Sequence, residues 1–302
     1  NRIDSLKLDL AAFTNISQDH FDYHKNYKNY FNSKMRLFLK ILKKNGIAII
    51  NSDLPESKKI LDLCKKNKIK TFTYGYNSND FKIITFYQDR DHQKIIIKHK
   101  KDLYEYKLPM LGDFQVYNSI CAICIVYFSG VPLKKCFKAV EKIRQVPGRL
   151  EMINVSNDMK KKKNLIFIDY AHTPDAIEKS LKALKRISSK ISIVFGCGGE
   201  RDKKKRPLMG RIARKYADKI YVTDDNPRHE SAKKIRKEII SNCPGAIEIK
   251  NRRLAIKKAI YSCDQGETVL IAGKGHEDYQ IIGDKFYKFS DKEIILKILK
   301  RI

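Results

Sequence analysis

Apolar residues at Phe31, Met35, Phe38 and Leu42 recur every three to four positions, which predicts an amphipathic helix over residues 27–44 that Gly46 stops. Residues 47–50 form an unbroken apolar run ending in Asn51-Ser-Asp53, the pattern of a buried strand. Residues 55–66 read as a second helix and 71–74 as a short strand. From 81 to 110 the pattern turns β-rich with apolar–polar alternation, predicting a meander, and two apolar helices follow at 115–128 and 133–143.

After Pro147-Gly148 the rhythm changes. Short apolar strands at 165–169, 191–195, 220–223, 247–249 and 269–272 alternate with helices that begin near Pro174, Arg206, Ser231 and Arg253. Such βα units predict an open, mostly parallel sheet with helices on both faces, so the fold class is α/β, with domains at 1–147 and 148–302. Ligands of these sheets bind beyond the carboxyl ends of the strands. Here those ends carry Asp169-Tyr-Ala-His172, Gly196-Cys-Gly-Gly199, Thr223-Asp-Asp-Asn226 and Gly273-Lys-Gly-His-Glu277. Four polar or glycine-rich strand ends in succession mark a binding face.

Composition narrows the function. With 302 residues and 42 % hydrophobic content, the chain has enough material for two buried cores. No run reaches the roughly 20 apolar residues of a membrane span, and no export leader opens the sequence, so a cytoplasmic protein without membrane contact is expected. The net charge of +29 would suggest nucleic acid, but the lysines are spread evenly, with no basic block beyond residues 160–163 and no nucleic-acid-binding motif. Anionic nucleotides are a sufficient partner for that charge. Cys121 and Cys124 form a CxxC inside an apolar helix, which reads as packed thiols of a reducing compartment.

Several segments carry candidate chemistry. Asn15-Ile-Ser-Gln-Asp-His20-Phe-Asp-Tyr-His24 gathers carboxylates, imidazoles and amides, suited either to a hard cation such as Mg²⁺ or to a solvated helix start. Lys34, among Phe31, Met35 and Phe38, reads on its own as a lysine that snorkels to water. Gly112-Asp-Phe-Gln-Val-Tyr-Asn118 opens a helix with an amide that can cap it or bond an adenine edge. Arg149 in Pro-Gly-Arg-Leu-Glu offers a permanent charge for phosphate, and Asp169 and His172 end a strand where phosphate or metal would lie. Gly196-Cys-Gly-Gly-Glu-Arg201 looks like a phosphate-binding loop before a helix, although no Gly-x-x-x-x-Gly-Lys-Ser/Thr occurs in the 302 residues. Asp225-Asn-Pro-Arg228 presents a carboxylate, an amide and a guanidinium within one turn, which can hold a zwitterion together with Glu277.

Taken together and in order, TNISQDHFDYH, the Lys34 region, GDFQVYN, PGRLE, DYAHTPDAIEKSL, VFGCGGERDKKKRPLMG, VTDDNPR and AGKGHEDYQ resemble the Mur ligases, and within them the UDP-N-acetylmuramoyl-tripeptide synthetases. The resemblance runs nearly end to end. It implies part of a P-loop-type central ATPase domain followed by a Rossmann-like domain that binds an amino acid. The implied activity is ATP-dependent addition of meso-diaminopimelate to UDP-MurNAc-L-Ala-D-Glu through an acyl phosphate, in cell-wall precursor synthesis. The resemblance further implies His20 as a Mg²⁺ ligand and Lys34 as a carbamate holding a second Mg²⁺. Asn118 and Arg149 would contact ATP, with Asp169 and His172 beside the nucleotide. Arg2 would touch the UDP-sugar peptide, and Arg201, Asp225, Asn226, Arg228, Gly273 and Glu277 would form the diaminopimelate pocket. The family's UDP-binding domain, its P-loop and an acidic metal ligand before Arg2 are missing, and Glu200 stands where an Asp is common. A fragment of a longer protein, inactive by itself, is therefore expected. The alternatives are a lysine-adding synthetase, another Mur or folylpolyglutamate-type ligase, or an inactive nucleotide-binding fragment.

Overall fold

The computed structural model describes residues 3–16, 24–153 and 164–300. Arg2, His20 and the basic block at 160–163 lie outside the described residues. The chain divides into two compact units, Asn1–Arg144 and Gln145–Ile302.

The first unit is built on a six-stranded sheet in sequential order: β1 (Leu8–Phe13), β2 (Leu42–Asn51), β3 (Lys70–Gly75), β4 (Phe81–Gln88), β5 (Gln93–His99) and β6 (Asp102–Leu108). β1 to β4 run parallel, whereas β4, β5 and β6 form the antiparallel meander that their alternation predicts. Period-two geometry divides the apolar residues of β2 between two cores. Ala48 and Ile50 join Phe31 and Met35 of α1 (Tyr27–Arg36) and Ile60 and Cys64 of α2 (Ser57–Lys66). Ile49 faces the opposite core, with Val116, Ile120 and Ile123 of α3 (Asp113–Phe128) and Leu133 and Phe137 of α4 (Leu133–Val140). Cys121 and Cys124 are buried in this second core, and burial pushes both thiols above their ordinary range.

The expected helix over 27–44 is shorter. It stops at Arg36, passes through a π turn at Leu37–Ile41, and Leu42 enters the sheet opposite Leu8. Leu42 is buried in either arrangement, so apolar spacing alone could not separate them; sheet pairing decides.

The second unit has a six-stranded sheet in the order β11-β10-β9-β12-β8-β7. Its strands are β7 (Glu151–Met152), β8 (Leu165–Asp169), β9 (Ile191–Phe195), β10 (Lys219–Val222), β11 (Ile247–Glu248) and β12 (Thr268–Ala272). All pairings are parallel except β7 with β8. Between strands run α5 (Pro174–Lys185), α6 (Lys205–Tyr216), α7 (Ala232–Ile240) and α8 (Arg252–Tyr261), and the hairpin β13 (Tyr279–Ile282)–β14 (Lys285–Lys288) precedes α9 (Asp291–Leu299). Ile166, Ile168, Val269 and Ile271 on one sheet face share a core with Ala255, Ile256 and Ala259 of α8 and Ile294, Ile295 and Ile298 of α9. Thr173, Ser231, Asn251 and Ser290 cap their helices by accepting a backbone N–H three residues on, which sets where each helix leaves its strand-end loop.

Candidate functional site

Parallel pairing brings the carboxyl ends of β8, β9, β10 and β12 to one edge of the second unit. The loops leaving them touch so closely that side chains have no room. A Cβ on Gly148, at φ +66°, would stand 2.2 Å from the His276 nitrogen, and one on Gly273, at φ +114°, would stand 2.7 Å from Asp225 Oδ2. The Gly273 N–H also bonds the Asp169 carbonyl at 3.0 Å, tying β12 to β8 at the point where both strands end.

Asp225, Asn226, Gly273 and Glu277 come together. The Asn226 amide donates from Nδ2 to Glu277 Oε2 at 3.1 Å, and its Oδ1 accepts from the Ile281 N–H at 3.0 Å. Oδ1 also accepts from Lys274 Nζ at 2.8 Å. Lys274, which carries no role in the sequence reading, is fully buried with its ammonium 3.4 Å from Asp225 Oδ1 and 3.6 Å from Glu277 Oε2. Asp225 and Asn226 are themselves buried, whereas Glu277 keeps a partly open side chain.

Arg228 joins the same edge. Its backbone lies in the left-handed region at φ +52°, held by N–H donation to the Ile281 carbonyl at 3.2 Å and acceptance from the Gly283 N–H at 2.9 Å. Nη1 donates to the Gly199 carbonyl at 2.9 Å, which leaves further donors of the five-donor guanidinium for a ligand. Arg201 stands exposed on the adjacent loop.

That loop differs from a phosphate cradle. The Gly199 N–H is bonded to the Asn226 carbonyl and the Glu200 N–H to Glu230 Oε1, while the Gly198 carbonyl accepts from Arg206 Nη2. Arg206 is completely buried and forks Glu230 at 3.0 and 3.1 Å, with Glu238 at 2.7 Å. The Arg206 bonds hold the Glu230 carboxyl down to about 2. The Gly-rich segment thus spends these groups on fixing its own shape beside the Asp225 loop.

A second cluster lies at the end of β8. Burial raises the Asp169 carboxyl above its ordinary range, opposed by the Ser180 hydroxyl and by the charge of Arg149. The exposed Arg149 guanidinium lies over the Tyr170 ring at 4.6 Å. His172 receives its orientation from an Nδ1 contact to the Tyr170 carbonyl at 2.8 Å, and its own carbonyl accepts from Lys205 Nζ at 2.8 Å. Arg149, Asp169 and His172 are therefore gathered around Tyr170: Asp169 and His172 flank it at the end of β8, and Arg149 reaches it from the segment before β7.

In the first unit, Lys34 is half-buried with Nζ 4.8 Å from the Tyr30 ring centre. Asn118 is not at the helix start: Gly112 occupies the N-cap, and Asn118 is exposed on the second turn, donating to Gln115 Oε1 at 3.1 Å. Beside it, Asp53 accepts from the Tyr76 and Asn77 N–H groups at 2.7 and 2.8 Å and from the Tyr117 hydroxyl at 2.8 Å. This carboxylate ties the ends of β2 and β3 to α3, a role that its place in Asn51-Ser-Asp53 did not reveal. Among the described residues, no three His, Cys, Asp or Glu side chains gather as a metal site.

The chain matches two family profiles: the Mur ligase middle domain over residues 1–126 and the Mur ligase glutamate ligase domain over residues 148–275. It is 46 % identical over 298 residues to UDP-N-acetylmuramoyl-L-alanyl-D-glutamate--2,6-diaminopimelate ligase of Rickettsia bellii, covering 97 % of this chain and 61 % of that protein. Identity to the ligase of the same name from Agrobacterium fabrum is 39 %, covering 100 % and 61 %. A solved structure of a ligase so named is 32 % identical, with a TM-score of 0.63 over 97 % of this chain and 60 % of that one. MurF ligase from Thermotoga maritima in complex with ADP shares the fold at a TM-score of 0.73 and 18 % identity, covering 97 % and 62 %. The chain thus spans about three fifths of the length of the relatives it matches. Through both profiles and the fold they share, the chain belongs to the Mur ligase family.

Proposed function

We propose that this chain supplies the amino-acid pocket, and part of the ATP-handling surface, of a ligase that adds meso-diaminopimelate to UDP-MurNAc-L-Ala-D-Glu. One observation carries the reading: Asp225 and Glu277 flank the Lys274 ammonium at one strand-end edge, and Asn226 joins them to Arg228, donating from its amide to Glu277 and accepting at its backbone carbonyl from Arg228 Nη1. The far end of diaminopimelate bears an ammonium and a carboxylate on the same carbon. Asp225 and Glu277 suit the first, and Arg228 suits the second as a planar fork. Lysine offers the ammonium alone and leaves Arg228 unused.

The chemistry is transfer of the ATP γ-phosphoryl group to the substrate carboxylate. The amino group then attacks the carbonyl carbon of the acyl phosphate, and phosphate leaves as the C–N bond forms. Such steps rest on orientation and charge neutralisation. Arg149, braced on Tyr170, and Lys205 supply positive charge near Asp169 and His172, which suits them to lie beside phosphate. Asn118, exposed on α3, has an amide free to meet an adenine edge on the side not bonded to Gln115. Mg²⁺, held by His20 and by Lys34 as a carbamate, would neutralise phosphate charge. His20 lies outside the described residues. Arg2 and Arg201 complete the proposed substrate contacts, with Gly273 letting the end of β12 pass directly against Asp225.

Calorimetric titration of the 302-residue chain with meso-diaminopimelate and with L-lysine tests this. The expected result is saturable binding of diaminopimelate at least about tenfold tighter than lysine, a difference of about 1.4 kcal/mol. Preference for lysine would favour a lysine-adding enzyme, and binding of neither would count against the pocket.

A further inference from the structure

Lys274 is completely buried, and its ammonium is met by oxygen atoms from several elements. Nζ donates to Asn226 Oδ1 at 2.8 Å and to the Tyr279 carbonyl at 2.7 Å, and stands 3.4 Å from Asp225 Oδ1 and 3.6 Å from Glu277 Oε2. A charged lysine without solvent access is costly to a fold unless its charge is matched and its N–H donors find acceptors. Here two carboxylates match the charge and two oxygens accept hydrogen bonds, and the arrangement has two consequences for the pocket.

The first concerns the Asn226 side chain. Its Oδ1 faces two donors, the Lys274 ammonium and the Ile281 N–H. The flipped amide would turn its NH₂ group toward both, so only one orientation is compatible. Nδ2 must then face Glu277, and that bond uses one of its two N–H groups. The second concerns charge. Asp225, Glu277 and Lys274 make a wall of two carboxylates and one ammonium, an excess of one negative charge. A ligand end that brings one ammonium to this wall neutralises it, and its carboxylate remains for Arg228. Without Lys274 the wall would carry two negative charges, repelling a ligand carboxylate and rewarding a ligand end with positive charge alone.

We propose that Lys274 is a positioning residue that sets amino-acid selectivity: it orients the Asn226 amide and halves the charge of the Asp225–Glu277 wall, so that the pocket prefers an end bearing both ammonium and carboxylate. The proposal rests on the amino-acid-pocket reading above. Its test is the ratio of affinities for meso-diaminopimelate and L-lysine, measured by calorimetry on the 302-residue chain and on Lys274→Met and Lys274→Gln. Methionine keeps the length of the side chain without its charge, and glutamine keeps a donor toward Asn226. Wild-type selectivity for diaminopimelate is expected to fall about tenfold or more in both variants, with lysine binding held or improved. Loss of packing alone would weaken both ligands together and leave the ratio unchanged. A wild-type ratio in either folded variant overturns the proposal, and so does loss of cooperative unfolding in both, which would make Lys274 a structural residue only. Wild-type chain that binds neither ligand would instead defeat the pocket reading itself.

Discussion

Arg228 adopts φ +52°, a conformation that costs a non-glycine residue free energy, and the Ile281 and Gly283 bonds of the β13 edge hold it there. In that conformation Nη1 reaches the Gly199 and Asn226 carbonyls, beside the loop that carries Asp225. Removing one member of a desolvated charge pair costs about 2–5 kcal/mol. Arg228→Ala should therefore weaken meso-diaminopimelate binding roughly thirty-fold to several-thousand-fold, at about 1.4 kcal/mol per decade. Arg228→Lys should recover little, because an ammonium cannot reproduce the planar fork. Titration of both variants checks this, and lysine affinity should change far less. Glu230 gives a second residue-scale outcome. Its folded pKa is depressed from 4.5 to about 2 by the Arg206 bonds, so its contribution to stability is complete above 4.5 and fades as pH falls from there toward about 2. Glu230→Gln should lower the melting temperature at neutral pH, and the gap from wild type should narrow across that window. A gap that stays constant down to about 2 would contradict the Arg206 pairing.

Elements in the second unit are joined by buried ion pairs as well as by apolar packing. Arg252 at the start of α8 forks Asp291 at the start of α9 at 2.8 and 2.7 Å, both side chains fully buried, and reaches the Ala272 carbonyl at the end of β12 at 2.9 Å. The pair thus fixes two helices and the strand end that leads into Gly273. Arg252→Met should destabilise the unit by about 3–5 kcal/mol, because Asp291 is left as an unpaired buried charge. Arg252→Met with Asp291→Leu should recover much of that loss in urea unfolding; equal destabilisation by single and double variants would contradict it. These elements also show what the sequence discloses. β8 and β9 begin and end at the residues their apolar runs predict, and Ser231 marks the α7 start, because continuous burial and side-chain capping are local signals. The two-residue β7, the exposed hairpin of β13 and β14, and α9 were not anticipated. Their pairing depends on partners distant in sequence. The site divides in the same way. Asp225, Asn226, Arg228 and Glu277 announce themselves by clustering at strand ends. The burial of Lys274 requires Asn226, Tyr279 and Asp225 to converge on one ammonium, and no spacing along the chain encodes that.

At the scale of the molecule, 63 Lys and Arg against 34 Asp and Glu leave a large positive excess, yet the acids that matter are drawn to a few interior positions. Arg206, Arg252 and Lys274 are buried only where carboxylates meet them, so the remaining basic surface is available to anionic partners such as nucleotides. No helix among the described residues is long and apolar enough to cross a membrane. The central claim is that the strand ends of the second unit hold the amino acid. Backbone amide shifts of the isotope-labelled 302-residue chain, followed while meso-diaminopimelate is added, test it most directly. The expected result is a saturable set of changes centred on Asp225, Asn226, Arg228, Gly273 and Glu277. The competing location is the groove of about 280 Å³ between α8 and α9, lined by Leu254, Tyr261, Phe289 and Ile294. Shifts confined to that groove, with the strand ends unmoved at saturation, would contradict the account.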